Sequence, residues 1–132
     1  MNYTENYQLN QWAKSDRVLM EDFNRDNEKI DAALGEKCGV VFGTYTGDGA
    51  AERIIKIGFT PKLLYLCNCR GCAGSLVGSG YCSGGLAAPG HPVKHTDTIA
   101  AEIVENGFRV THPNDYIRTN LSGDEYYYIA FR

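Results

Sequence analysis

The fold class of this chain is indicated most clearly by residues 40–67, which read VVFGTYTGDGAAERIIKIGFTPKLLYLC. Apolar and β-branched residues alternate with polar ones on both sides of Gly47-Asp48-Gly49, a turn signal because Asp-Gly supplies the positive φ values that tight turns need. Gly58-Phe59-Thr60-Pro61 breaks the second alternating segment. The near-continuous apolar run from Lys62 to Cys67 then predicts a strand buried on both faces. We therefore expect three strands in this stretch.

The C-terminal residues continue the strand pattern. Residues 99–104 fit either a strand or a short helical turn, and Asn106-Gly107 is a second hairpin signal. After a turn at 121–124, the segment from Glu125 to Phe131 alternates with aromatic residues on both faces, so we expect it to be central or covered. We predict about five or six strands in a mostly β domain, a compact antiparallel β-sandwich or barrel.

Composition excludes several classes of protein. The chain has 132 residues, 43% hydrophobic and 22% charged, with a net charge of −3. This length is typical of one globular domain, and the net negative charge argues against nucleic acid as a partner. Residues 1–15 contain no apolar stretch typical of a secretory signal, and no window is apolar enough for a membrane span. We expect synthesis and folding in the cytosol, with no membrane insertion.

The N-terminal region, residues 1–36, contains a polar lead and the one convincing helix. Ser15 or Asp16 is a candidate helix cap, and Gly35 is a candidate stop. Between them, apolar residues follow a heptad spacing that an asparagine interrupts: Met20, Phe23, Asn27, Ile30 and Leu34. This seam predicts a helix that associates with copies of itself, because a buried asparagine is satisfied by its symmetry mates. The alternative is an amphipathic helix that packs on its own domain.

The remainder, residues 37–132, is the predicted β-rich head domain, with a Gly/Cys-rich loop at 68–95. No phosphate-binding glycine motif occurs in this loop. Its composition favours a long exposed loop that carries variable contacts, and the alternatives are a plain linker or a segment that packs on a partner chain. The cysteines allow three states: free thiols, a disulfide, or a Zn²⁺ site formed by Cys67, Cys69, Cys72 and Cys82, with His91 or His95 as a substitute ligand.

Catalysis finds little support in the sequence. The serines lie among glycines without a nucleophile elbow, and the acidic pairs Asp97 with Glu102 and Asp124 with Glu125 sit beside turns, where carboxylates are usually solvated. The histidines are near prolines or in polar loops. We expect no enzyme.

Several segments resemble tail fibre and minor structural proteins from phages and prophages of Gram-positive bacteria. The first is SDRVLMEDFNRDNEKIDAAL, with Glu21-Asp22-Phe23-Asn24 opening a short helix that ends in Ile30-Asp31. The others are Gly43–Leu66, Asn106–Val110 and Tyr126–Arg132. The Cys- and Gly-rich middle, 68–90, departs from the pattern.

The resemblance implies a homotrimeric component of a virion or tail particle, assembled in the bacterial cytoplasm. Its expected partners are other tail or baseplate proteins and a bacterial surface glycan or protein. Loop aromatics and histidines are the candidate receptor-binding residues, because aromatic faces stack on sugar rings: Tyr81, His91, His95 and Tyr116. The alternative function is a cytosolic binding module stabilised by zinc, with the cysteines at its centre.

Overall fold

The computed structural model describes residues 1–37, 39–74 and 80–132. The chain divides into two compact units, residues 1–38 and 39–132, which are described separately. In the first unit, strand β1 (Asn2–Tyr3) pairs antiparallel with β2 (Asn10–Gln11), and helix α1 follows at Met20–Glu36. The polar lead gave no strand signal, because strands of two residues are too short to show a period.

The helix ends differ from the predicted ones. Leu19 occupies the N-cap position without a side-chain hydrogen bond, because its aliphatic side chain has no acceptor, and Asp16 instead accepts a hydrogen bond from the N–H of Ala13 (2.8 Å). Gly35 is part of the helix, which continues to Glu36 and closes when the N–H of Lys37 donates to the oxygen of Leu34 (3.3 Å). The expected cap and stop were therefore both wrong by a few residues.

The β1–β2 hairpin packs on one face of α1. The N–H of Asn10 donates to Asp26 Oδ2 (2.9 Å), and the ammonium of Lys29 donates to the oxygen of Gln8. The predicted heptad seam lies on another face, and all five of its residues are exposed: Met20, Phe23, Asn27, Ile30 and Leu34. No residue of α1 is buried.

The second unit contains two four-stranded antiparallel sheets. The strands are β3 (Val40–Thr46), β4 (Glu52–Lys56), β5 (Leu63–Asn68), β6 (Gly85–Ala87), β7 (Val93–His95), β8 (Thr98–Val104), β9 (Gly107–Thr111) and β10 (Glu125–Phe131). The order is β3-β10-β5-β6 in sheet 1 and β4-β9-β8-β7 in sheet 2. The described chain is thus mostly β with antiparallel sheets and one helix, as predicted.

The strand count was underestimated. Strands β6 and β7 lie inside the expected loop 68–95, and three residues each are too few for a recognisable alternation. The ambiguous segment 99–104 belongs to a strand, and the hairpin at Asn106 is confirmed, with Asn106 at a φ of 61°.

The turn at Gly47-Asp48-Gly49 does not join paired strands. Strand β3 pairs with β10 and β4 pairs with β9, so this turn carries the chain from one sheet to the other. This turn is held in place by hydrogen bonds to the side chain of Asn120, which lies far away in the sequence.

Strand β10 lies between β3 and β5, which confirms its predicted central place. Tyr126 and Ala130 point inward and are fully buried. The prediction that β5 is buried on both faces is wrong for this unit, since Leu64 and Leu66 are buried but Tyr65 between them is 38% exposed.

The core draws apolar side chains from both sheets. Tyr45 of sheet 1 stacks on Tyr126 at 4.9 Å between ring centroids and meets Phe108 of sheet 2 edge-on at 6.0 Å. Phe108 also meets Tyr128 at 5.0 Å. Such aromatic contacts add to the hydrophobic burial that stabilises the unit.

Two buried polar residues, Thr119 and Asn120, link the sheets and the turn. The hydroxyl oxygen of Thr119 lies 2.7 Å from the oxygen of Ala100 and accepts the N–H of Thr111 (2.9 Å). The hydroxyl of Tyr45 donates to the backbone oxygen of Thr119.

The side chain of Asn120 donates to the oxygen of Ala50 (3.0 Å) and to Asp48 Oδ1 (2.6 Å), and its Oδ1 accepts the N–H of Asp48 (3.2 Å). The N–H of Ala50 and the Asn120 amide together hold the pKa of Asp48 below its usual value. Every polar atom of the Asn120 side chain therefore has a partner in the turn.

Replacing Asn120 should destabilise the protein strongly. In Asn120→Ala the turn loses the buried side chain that holds it, and we expect the free energy of unfolding in urea to fall by roughly 2–4 kcal/mol. Ser122→Ala, two residues away and exposed, should stay within about 0.5 kcal/mol of the wild type. Equal stability of the two variants would contradict the role given to Asn120.

Candidate functional site

A short parallel bridge brings two loop segments together beside sheet 1. The N–H of Cys82 donates to the oxygen of Tyr116 (2.7 Å), and the N–H of Arg118 donates to the oxygen of Cys82 (2.8 Å). Cys82 and Ile117 are both buried at this bridge. Because neighbours along an extended chain point to opposite sides, Tyr81, Tyr116 and Arg118 face the surface together.

Beside this bridge lies a pocket of about 380 Å³. This volume falls within the range typical of small-molecule sites. Its lining is mostly polar: Asn68, Cys69, Arg70, Tyr81, Ser83, Arg118, Asp124 and Glu125. The pocket therefore suits a hydrophilic ligand with several hydrogen-bonding groups.

Arg118 is held in the pocket by three contacts. Its guanidinium carbon lies 3.5 Å from the centroid of the Tyr81 ring, a cation–π distance. Its Nε donates to the oxygen of Asp115 (2.8 Å), and its own backbone oxygen accepts the hydroxyl of Tyr126. Burial raises the pKa of Tyr126 to about 12, so this hydroxyl keeps its proton at neutral pH.

The pocket contains charges of both signs. Arg70 and Arg118 line it together with Asp124 and Glu125, and none of these four has an ion-pair partner within 4.0 Å among the residues that the structure describes. Apart from Arg118 Nε, which donates to Asp115, their charged groups are therefore available to a ligand.

The loop at the other side of the pocket is well ordered by local bonds. Asn68 Oδ1 accepts the N–H groups of Arg70 and Cys72, each at 3.0 Å, and Gly71 adopts a φ of 76° that favours glycine. The N–H of Cys69 donates to the oxygen of Glu125 (2.9 Å), which ties this loop to the start of β10.

The four predicted receptor-binding residues have different surroundings. Tyr81 lines the pocket, whereas Tyr116 stacks on His95 with 5.9 Å between ring centroids and 6° between ring planes. His91 lies in the turn between β6 and β7, where its N–H donates to the oxygen of Ala88 (2.8 Å), and it does not line the pocket. The structure thus pairs His95 with Tyr116 and Tyr81 with Arg118.

Arg70 and Arg118 were missed from the sequence. Charged residues in loops are usually solvated, so neither stood out. The available signal was the spacing of Tyr116 and Arg118, two residues apart on either side of an isoleucine, which places both on one face of an extended segment.

The four cysteines that the structure describes occupy two environments. Cys69 and Cys72 are exposed thiols, while Cys67 and Cys82 are buried thiols. Cys82 belongs to the core and Cys67 lies against Tyr127 on the outer face of sheet 1. Burial raises the pKa of both buried thiols, and for Cys67 the neighbouring Cys72 adds to the effect. Within residues 1–37, 39–74 and 80–132, no three histidine, cysteine or acidic side chains cluster as metal ligands, so the zinc site stays a prediction.

No helix in the described part of the chain is long and apolar enough to cross a membrane. Comparison of the chain with protein-family models, curated proteins and solved structures finds no match.

The two thiol environments predict different alkylation rates. With iodoacetamide at neutral pH, Cys69 and Cys72 should react at least about tenfold faster than Cys67 and Cys82, because Cys69 and Cys72 are exposed, whereas burial both covers the thiols of Cys67 and Cys82 and raises their pKa. Peptide mass spectrometry measures each site, and the urea-unfolded chain is the control in which all four should react alike. Equal rates in the native protein would contradict these environments.

Proposed function

We propose that this protein is a structural and adhesive component of a phage or phage-derived tail, which contacts the bacterial host surface as a homotrimer. The observation that carries the proposal is the mixed aromatic and polar site of Tyr81, Arg118, Tyr116 and His95. Aromatic faces stack on sugar rings, and guanidinium, carboxylate and amide groups bond to sugar hydroxyls. A surface glycan therefore fits the site better than an apolar ligand does.

The framework under this site supports an adhesive role. We infer that the two sheets of residues 39–132 pack face to face as a sandwich, because Tyr45 and Tyr128 of sheet 1 both contact Phe108 of sheet 2. Sites carried on loops over a rigid sheet framework are a common arrangement in binding proteins.

The helix supports self-association. The hairpin β1–β2 occupies the face of α1 that includes Asp26 and Lys29, so the seam from Met20 to Leu34 stays largely exposed within the first unit. Ile30 and Leu34 line an apolar hollow of about 100 Å³ together with Tyr7. Identical helices would cover this seam and satisfy Asn27 through its symmetry mates.

Trimerisation would increase the overall strength of binding to the host surface. One site of this size makes few contacts, but three linked sites bind in succession at a high effective concentration. Weak recognition of a repeated surface glycan thereby becomes firm attachment. On this proposal the protein resides in the tail particle beside other tail or baseplate proteins, acts without catalysis, and is assembled in the host cytoplasm.

The helix seam is tested by Ile30→Asp. Since Ile30 is 41% exposed, the aspartate should leave the stability of a monomer within about 0.5 kcal/mol. Inside a trimer three carboxylates would meet, so light scattering at micromolar concentration should show a trimer for the wild type and dissociation for the variant. Asn27→Leu should keep or strengthen assembly. A wild-type monomer would contradict the proposed trimer.

The binding site is tested by a matched pair of variants. Tyr81→Ala removes the ring that stacks on Arg118 and should weaken binding to purified Gram-positive cell walls by at least about tenfold, because avidity multiplies the loss at each copy. Tyr81→Phe keeps the ring and should bind within about threefold of the wild type. Pull-down with labelled protein measures both. Unchanged binding of Tyr81→Ala, or no binding of the wild type to any wall in a broad panel, would contradict the proposal.

A further inference from the structure

The outer faces of the two sheets differ sharply in composition. The outer face of sheet 2 is charged, because Arg109 on β9 pairs with Glu102 on β8 and with Glu52 on β4 (3.2 Å). Lys56 and Lys94 add further charge at its edges, and both are exposed. This pattern is typical of a sheet face in contact with water.

The outer face of sheet 1 is apolar. It carries no charged side chain except Glu125 at the start of β10. Several large side chains on it are exposed to an unusual degree, namely Phe42 by 66%, Val40 by 62% and Leu86 by 61%. The face consists of Val40, Phe42, Thr44, Leu63, Tyr65, Cys67, Leu86, Tyr127, Ile129 and Phe131, and is called the apolar face below.

The strand register makes this face continuous. Ile129 on the central strand lies opposite Phe42 on one side and opposite Tyr65 on the other, and Tyr65 in turn lies opposite Leu86. Phe42 and Tyr127 are in ring contact at 5.9 Å. The exposed residues therefore form one patch across four strands rather than scattered single side chains.

We propose that the apolar face is the surface through which the head units of three copies of this chain pack against one another around the trimer axis. The inference rests on the proposed trimer and goes beyond the helix seam, since it assigns a second contact surface in the head. Three sheets that each turn one face to a common axis form a triangular prism, and β10 of each copy then lies nearest the axis.

The area of the face suits such a contact. From the exposed fractions of its side chains, the patch offers roughly 600 Å² of mostly apolar surface, at or above the largest patch of a typical monomer and close to the share that each partner gives to a standard interface. The apolar face has few charged residues and many aromatic rings, a composition typical of the buried centre of permanent homo-oligomer interfaces.

The shape of the face also suits a second copy. An apolar hollow of about 110 Å³ lies among Phe42, Tyr65, Cys67, Tyr127 and Ile129. Leu86 projects from the same face at the edge strand β6. A surface that carries both a hollow and a protruding aliphatic side chain can fill itself in a symmetric assembly, as homotypic packing requires.

The test compares one substitution on each outer face in the full-length protein. Phe42→Glu places a carboxylate on the apolar face, and Ile54→Glu does the same at a 52% exposed position on the charged face of sheet 2. Both residues are exposed, so both variants should keep the far-ultraviolet circular dichroism of the wild type. Analytical ultracentrifugation then gives the concentration at which each trimer dissociates.

We expect Phe42→Glu to raise the dissociation concentration at least about a hundredfold and Ile54→Glu to change it less than about threefold, since only the first charge is removed from water on assembly. Leu86→Glu, at the opposite edge of the apolar face, should behave like Phe42→Glu. Trimers of unchanged strength in both Phe42→Glu and Leu86→Glu would overturn this inference while leaving the helix-based trimer intact.

A wild-type monomer would overturn both the inference and the proposed trimer. The apolar face could instead be covered by the N-terminal unit of the same chain. The wild type would then be monomeric, with Phe42 and Tyr65 protected from hydroxyl-radical oxidation, and this result would also overturn the inference. Protection of these two rings in the trimer and their oxidation on dilution below the dissociation concentration would support it.

Discussion

The second unit depends on the buried hydrogen bonds of Thr119 and Asn120. Both side chains are fully buried, and burying a polar group is unfavourable unless its partners are supplied. The Thr119 hydroxyl has its partners at Ala100 and Thr111 on sheet 2, and the Asn120 amide has its partners in the turn around Asp48. Tyr45 on sheet 1 donates its hydroxyl to the backbone oxygen of Thr119. The requirement to satisfy these groups fixes both sheets and the crossing turn relative to one another, which apolar packing alone specifies only loosely.

The same segment positions the candidate site. Tyr126 is buried beneath it, donates to the backbone oxygen of Arg118 and accepts the N–H of Leu121 (3.1 Å). Residue 118 is thereby anchored at its backbone by the core, while its guanidinium lies over Tyr81 at the surface. A site whose residues are held in place before a ligand arrives loses less conformational entropy on binding. On the proposed function, the core hydrogen bonds contribute to recognition as well as to stability.

The sequence predicted features that depend on local period and missed those that depend on distant partners. The alternation of Tyr126, Tyr128 and Ala130 was correct because a strand's two faces follow directly from its two-residue period. Thr119 and Asn120 resemble any polar loop, and their burial is explained by partners elsewhere in the chain: Ala100, 19 positions from Thr119, and Asp48, 72 positions from Asn120. At the site, aromatic chemistry identified Tyr81 and Tyr116, but the pairing of Tyr81 with Arg118 arises from a bridge between two loops that no spacing in the sequence encodes.

The central strand β10 connects the three properties of the head unit. Its inward side chains, among them Tyr126, belong to the core. Its outward side chains form the middle of the apolar face and are those of Tyr127, Ile129 and Phe131. Its first residue, Glu125, lines the polar pocket and holds the Cys69 loop through its backbone oxygen. Because a strand is stiff and its faces alternate strictly, the pocket has a fixed position relative to the apolar face. Three copies joined through that face would therefore present three pockets at a set spacing, and a ligand array of matching spacing would gain most from avidity.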